Sequence, residues 1–260
     1  MIFNLITILF FLFGLVVGSF LNVVILRMDD LKTILYTRSH CPSCKKILAW
    51  YDLIPFVSFM MLRARCRYCG EKISWQYPVV EVGVGLLFAF IHYFFGLSLG
   101  AFFYIAIFSI LTVIMVYDIK TQTVPEIFAW IALGLALIGG WYFSGLTFWN
   151  IIIGGLIAGG FLGALVFFSK EKWMGAGDIK IGITLGLLTG YPNVLLALFV
   201  AFLLGSIFGL IYIYYKNSKI NRDLLKQSLP FAPFLIMAAL ITVTFGNYLI
   251  NWYLGSFYKF

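Results

Sequence analysis

Charge is scarce in this chain. Of its 260 residues 11% are charged, only ten are acids, and 63% are hydrophobic, with a mean hydropathy of +1.03. A soluble domain of this length needs far more polar surface, so that class is excluded and an integral membrane protein is left. The period-two alternation of a membrane barrel is also missing, because the apolar runs are continuous and of helix length. The amino terminus has neither a basic segment before its apolar run nor an Ala-x-Ala site after it. The run from Ile2 onward therefore reads as a retained first span and not as a signal peptide. No basic groove interleaved with aromatics is present, so the net charge of +8 gives no ground for nucleic-acid binding.

What remains is an all-α, polytopic helical bundle in a lipid bilayer. Apolar runs between charge clusters predict about eight transmembrane helices, near residues 2–26, 78–95, 101–117, 127–144, 149–168, 179–190, 193–215 and 232–254. The sixth is short and ends at "GYPN", which suits a tilted or partly re-entrant helix covered by protein. Basic residues cluster at Arg27 to Lys72, at Lys120, at Lys170 to Lys180 and at Lys216 to Lys226, all on alternate connections; only Lys259 falls on the other side. The positive-inside rule then makes those connections cytosolic and places both termini outside. Three parts are expected. Residues 1–95 hold the first span, a cytosolic four-cysteine loop (about 28–77) and the second span; 96–215 form a membrane core; 216–260 carry a basic cytosolic loop and the last span.

Cysteine is confined to that first loop, as "CPSC" (Cys41, Cys44) and "CRYC" (Cys66, Cys69). Two C-x2-C knuckles can bring four thiolates into a tetrahedron around a structural zinc ion, and Pro42 and Gly70 suit the tight turns required. The alternatives are disulfides, which a cytosolic location disfavours, or unrelated thiols, which the paired spacing disfavours. Metal binding would hold a loop too small for its own core against the membrane surface. His40, beside Cys41, is a competing ligand that four cysteines make unnecessary. Glu81, about one turn into the second span, is either a functional group or a partner for a loop arginine.

Two further acids carry chemistry. Asp118 ends the third span in "MVYDIKTQTVPE", and Asp178 begins the sixth in "KWMGAGDIK". Sixty residues apart, they are expected at one depth on the cytosolic side. Two carboxylates at such an edge suit peptide hydrolysis, with one taking a proton from water while the other donates to the scissile carbonyl. Gly175 and Gly177 would let an extended substrate or a partner helix approach Asp178, and Lys180 would tune the pair or anchor the helix end to lipid phosphate. The bland alternative is a loop whose helix is capped by Asp178, aspartate being a favoured N-cap.

The residues resemble a known family. "GSFLNVVILR" (Gly18–Arg27), "CPSCKKILAWYDLIPFVSF", "RCRYCGEKISWQYPVVE" and "WMGAGDIKIG" are similar, in order and spacing, to successive blocks of the type IV prepilin leader peptidases, GxGD aspartic proteases of the bacterial cytoplasmic (inner) membrane. The resemblance implies that Asp118 and Asp178 are the catalytic pair, that Gly175, Gly177 and Lys180 complete the GxGD-x-K element, and that Cys41, Cys44, Cys66 and Cys69 match the family's cysteine tetrad. It also implies cleavage of the basic leader of prepilins or pseudopilins at the cytosolic end of their hydrophobic helix. Many members then methylate the new amino terminus with S-adenosylmethionine. Departures from the pattern are Met28-Asp29 where Leu-Pro is usual, Glu126 where aspartate often stands, and Ala232 in "PFAPF" where glycine is common.

Other features read as packing. Small residues in "GGLIAGGFLG" (Gly154–Gly163) and "GSIFG" (Gly205–Gly209) permit close helix approach, Asn22 should hydrogen-bond a neighbouring helix, and His92 should be satisfied or interfacial. A different class of function is a non-catalytic scaffold or transporter, its acids binding ions and its cysteine loop docking a partner. Transport, however, favours mid-membrane charges and inverted repeats, which are not evident. A methyltransferase with a weak peptidase centre is a further alternative.

Overall fold

A computed structural model describes residues 5–28, 32–216 and 230–257. Of the basic cluster at Lys216 to Lys226 only the Lys216 backbone is described, and Asp29 and Lys259 lie outside the described residues. The helices in chain order are α1 (Leu5–Leu26), α2 (Lys32–Tyr36), α3 (Val57–Met61), α4 (Gln76–Phe95), α5 (Leu99–Thr121), α6 (Glu126–Phe143), α7 (Phe148–Ser169), α8 (Ala176–Thr189), α9 (Asn193–Lys216) and α10 (Ala232–Phe257), with a 3-10 turn at Trp50–Leu53. No strand occurs among the described residues, only two isolated bridges. Seven helices, α1, α4 to α7, α9 and α10, are long and apolar enough to cross a membrane. This is a multi-pass membrane protein.

The eighth expected span differs in length. Helix α8 has 14 residues, so at ~1.5 Å per residue it extends only about 21 Å, short of the ~30 Å hydrocarbon core. Its sides are protein-covered: Ile181, Gly182 and Thr184 through Thr189 are all buried.

The chain divides into two compact units, Met1–Ser109 and Ile110–Phe260. In the first, α1 and α4 cross closely. A Cβ on Gly14 would come within 2.8 Å of Gly85 Cα, and one on Gly18 within 2.8 Å of Glu81 Cα. Small residues permit this contact, which gains dispersion and exposes backbone to backbone. Polar groups bridge the same pair. Asn22 Nδ2 donates to the Tyr77 carbonyl at 3.1 Å and its Oδ1 accepts from Gln76 Nε2 at 3.2 Å, as the sequence predicts. His92 is buried, hydrogen-bonded to Thr7 at 3.1 Å and stacked on Phe10 at 4.5 Å.

In the second unit α8 packs on α7, α6 and α10. The glycines of "GGLIAGGFLG" do what the sequence predicts. Gly154 and Gly155 face Gly186, Gly190 and Leu187, and Gly159 faces Ile183, whereas Gly160 and Gly163 look into open space. One face of α7 is thus smooth for α8, and the other is not needed for contact. Gly205, on α9, lies under the rings of Phe231 and Phe234.

Candidate active site and four-cysteine cluster

The two knuckles repeat one local design. Lys45 N–H donates to the Cys41 carbonyl at 2.9 Å and Gly70 N–H to the Cys66 carbonyl at 2.9 Å. Cys41 and Cys66 N–H in turn donate to Lys46 and Glu71 carbonyls at 3.0 and 2.7 Å. Each turn needs a left-handed residue, Gly70 at φ 72° and Lys45 at φ 59°; glycine adopts this freely and lysine does so at some cost. The result brings all four Sγ atoms within 4.8 Å of one another, with Cys41 and Cys69 at 3.9 Å, and none is in a disulfide. A Zn–S bond of ~2.3 Å implies tetrahedral edges of about 3.8 Å, so the cluster could hold zinc. The Cys44 amide, opposed by burial and helped by Ser43, brings the Cys41 thiol down to about 7. Cys69 rises to about 12, because desolvation and its three sulfur neighbours outweigh the Glu71 amide. One thiolate thus forms readily and four together call for a cation. His40 stays outside the cluster and contacts the Arg38 carbonyl at 3.2 Å.

Two acids organise the same segment, and neither role is visible in the sequence. Asp52 accepts from Arg67 at 2.8 Å and Tyr68 at 3.3 Å. Glu81 meets no arginine. Its buried carboxylate accepts the Phe56 N–H at 2.8 Å, at the left-handed residue (φ 60°) that opens α3. A backbone donor buried without a partner is costly, which accounts for an acid at this depth.

In the second unit, Asp118 and Asp178 are both buried, 4% and 7% exposed. Asp118 lies in the last turn of α5, where helix carbonyls disfavour negative charge. Its location there defies local propensity. Its Oδ2 is buried without a partner. Asp178 is not the N-cap of α8. Gly175 holds that position, and Asp178 is third in the helix, its N–H donating to the Gly175 carbonyl at 3.1 Å. The carboxylates are close enough for the charge on Asp118 to be felt at Asp178.

The two glycines differ. A Cβ on Gly177 would stand 2.7 Å from Val124 Cβ, so glycine here lets α8 close on the loop after α5. Gly175 has nothing within 4 Å of such an atom and an ordinary φ of −77°. Lys180 Nζ pairs with Glu126 Oε1 at 2.6 Å and lies over the Trp130 ring at 5.1 Å. The ammonium and the Glu126 carboxylate compensate each other, which gives the glutamate at that position a local partner.

Comparison with known proteins bears on this arrangement. A profile described as "Type IV leader peptidase family" matches residues 105–210, and one described as "Bacterial Peptidase A24 N-terminal domain" matches residues 12–95. A prepilin leader peptidase/N-methyltransferase of Bacillus subtilis (strain 168) is 30% identical over 94% of this chain and 96% of its own. The chain belongs to the type IV leader peptidase family. Proteins of the same name are similar in Legionella pneumophila, at 30% identity over 94% of this chain and 93% of the relative, and in Vibrio cholerae, at 31% over 90% and 94%. No solved structure matches the chain. Both members of the buried acid pair fall inside the stretch matched by the leader peptidase profile.

Proposed function

We propose that this leader peptidase family member is an aspartic endopeptidase that uses Asp118 and Asp178 to remove the leader of type IV prepilins or pseudopilins, and that it methylates the new amino terminus. The observation that carries the reading is the pair of buried acids within one compact unit, the charge on Asp118 reaching Asp178 and Asp118 Oδ2 standing unpartnered. Two carboxyl groups within reach of each other's charge cannot both ionise cheaply, so in this reading they share a proton. The ionised member draws a proton from a water whose oxygen attacks the scissile carbonyl carbon. The protonated member gives its proton to the carbonyl oxygen. The resulting diol collapses as the peptide nitrogen is protonated and leaves, and the pair returns to one shared proton.

Alternation of basic connections supports a cytosolic placement of the cysteine loop and both acids, with the termini outside. A prepilin leader kept in the cytosol by its own positive charges would meet the pair at the membrane edge. Zinc would be held by Cys41, Cys44, Cys66 and Cys69, and four thiolates leave it no open position, so its contribution is structural. Methyl transfer rests on the relatives' printed names, and S-adenosylmethionine would supply the methyl group. Two grooves of about 210 and 370 Å³ are lined almost wholly by apolar side chains such as Phe202, Phe231, Leu198 and Phe199. They do not suit its charged ends.

The test is cleavage of a purified prepilin by the protein in detergent. Asp118→Asn and Asp178→Asn should each yield no mature product while retaining the parent's melting behaviour. Leader removal continuing in both variants overturns the dyad, and no leader removal even by the parent favours a scaffold or transporter.

A further inference from the structure

The stretch "DLIPFVSFMMLRAR" (Asp52–Arg65) joins the two knuckles and belongs neither to the four sulfurs nor to the acid pair. Its apolar side chains point outward. Leu53, Phe56, Val57, Met60 and Met61 are all exposed, Met61 by 77%. Within α3 only Phe59 is buried, and its ring lies 5.0 Å from that of Trp75. A contiguous apolar face of this kind marks an interaction surface.

Two observations say what covers it. The first is depth. The Phe56 N–H donates to Glu81 Oε2 at 2.8 Å. Glu81 is the sixth residue of α4, whose 20 residues extend about the ~30 Å of a hydrocarbon core. Its Cα thus lies ~7.5 Å below the start of α4, and its side chain leans back towards that end. The opening of α3 is therefore held near the boundary between headgroups and acyl chains.

The second is the backbone. Lipid offers no hydrogen bonds, so a segment at that depth must satisfy its own N–H groups. The N–H groups of Ser58, Met60, Leu62, Arg63 and Ala64 donate to the carbonyls of Ile54, Phe56, Ser58, Met60 and Phe59 at 2.9 to 3.1 Å. Pro55 has no N–H to satisfy, and Phe56, at the helix opening, has Glu81. Beyond α3, left-handed backbone at Arg63 and Ala64 (φ 50° and 58°) turns the chain back towards the second knuckle. Arg63 and Arg65 are exposed there, and guanidinium groups pair well with lipid phosphate.

We propose that α3 and its flanks are an interfacial membrane anchor. The apolar face of residues 53–61 is sunk into the leaflet at the four-cysteine end of α1 and α4, Glu81 holds it at that depth, and Arg63 and Arg65 engage anionic headgroups. The two knuckles, which flank α3 in sequence, are thereby kept at the bilayer. This role is independent of which residues cleave.

Photo-crosslinking of the full chain tests it. Met61→benzoylphenylalanine is reconstituted in vesicles of phosphatidylethanolamine and phosphatidylglycerol, with Val79→benzoylphenylalanine, on the exposed side of α4, as lipid-facing reference. Both should give lipid adducts, in yields within about threefold of each other, and those at 61 should map to glycerol or upper acyl carbons. Met60→benzoylphenylalanine repeats the measurement in case the first variant misfolds. Arg63→Gln with Arg65→Gln should lower the share of phosphatidylglycerol among the adducts at 61 by about twofold or more. An unchanged share overturns the headgroup role. Absence of lipid adducts at 60 and 61 while 79 gives them, or adducts there only with a second copy of the chain, overturns the anchor.

Discussion

Single residues here answer to different constraints even within one motif. Gly177 is fixed by packing, since alanine would press on Val124. Gly177→Ala should cost about 1–3 kcal/mol of stability, the range for overpacking, measured as a lowered denaturation midpoint. Gly175 has open space around it, so Gly175→Ala should stay within about 1 kcal/mol of the parent, as expected for a small change of N-cap. Any large loss of prepilin cleavage in that variant would then report on the approach of substrate. Glu81 makes a contrasting case. Removing its carboxylate leaves the Phe56 N–H buried without an acceptor, so Glu81→Ala should destabilise by about 1–3 kcal/mol and Glu81→Gln by less. The sequence marked Glu81 as unusual because an acid one turn into a span is unusual. It could not reveal the partner, which is a backbone amide 25 residues earlier and has no signature of its own.

At the scale of elements, the helices were legible and their ends nearly so, because apolar length is what a bilayer demands. The paired knuckles were equally legible, since C-x2-C spacing fixes both turn and ligands. Removing metal with a chelator should therefore expose the segment between residues 39 and 73 to proteolysis while α1 and α4 stay protected. Unchanged protection after complete metal removal would argue that Asp52, Glu81 and the bridges suffice. The α7–α8 contact predicts a second effect. Gly186→Leu should separate the two helices and abolish cleavage, with a lowered melting temperature, because Gly154 backbone occupies the space a side chain would need. What the sequence obscured was the status of α8. Read by hydropathy it looks like a weak span, whereas its 14 residues draw their apolar surroundings from neighbouring helices instead of lipid.

For the whole molecule, the basic connections make a statement about sidedness that is open to direct measurement. Cys44 and Cys69 are exposed, and after metal removal a membrane-impermeant thiol reagent should label them only when the inner face is accessible, as in inverted vesicles. Labelling from the outer face of intact spheroplasts would reverse the proposed orientation and move both acids away from a cytosolic leader.

The shortness of α8 carries a consequence for engineering. Asp178 stands four residues before Gly182, the first of the glycines that lock this helix to α7. One residue inserted between them would swing the acid about 100° around the helix axis, whereas four would return its compass bearing but lift it ~6 Å along the axis. A single insertion and a fourfold one thus separate direction from depth. If the fourfold insertion alone recovers turnover, bearing governs; if neither does, Asp178 tolerates no change in altitude.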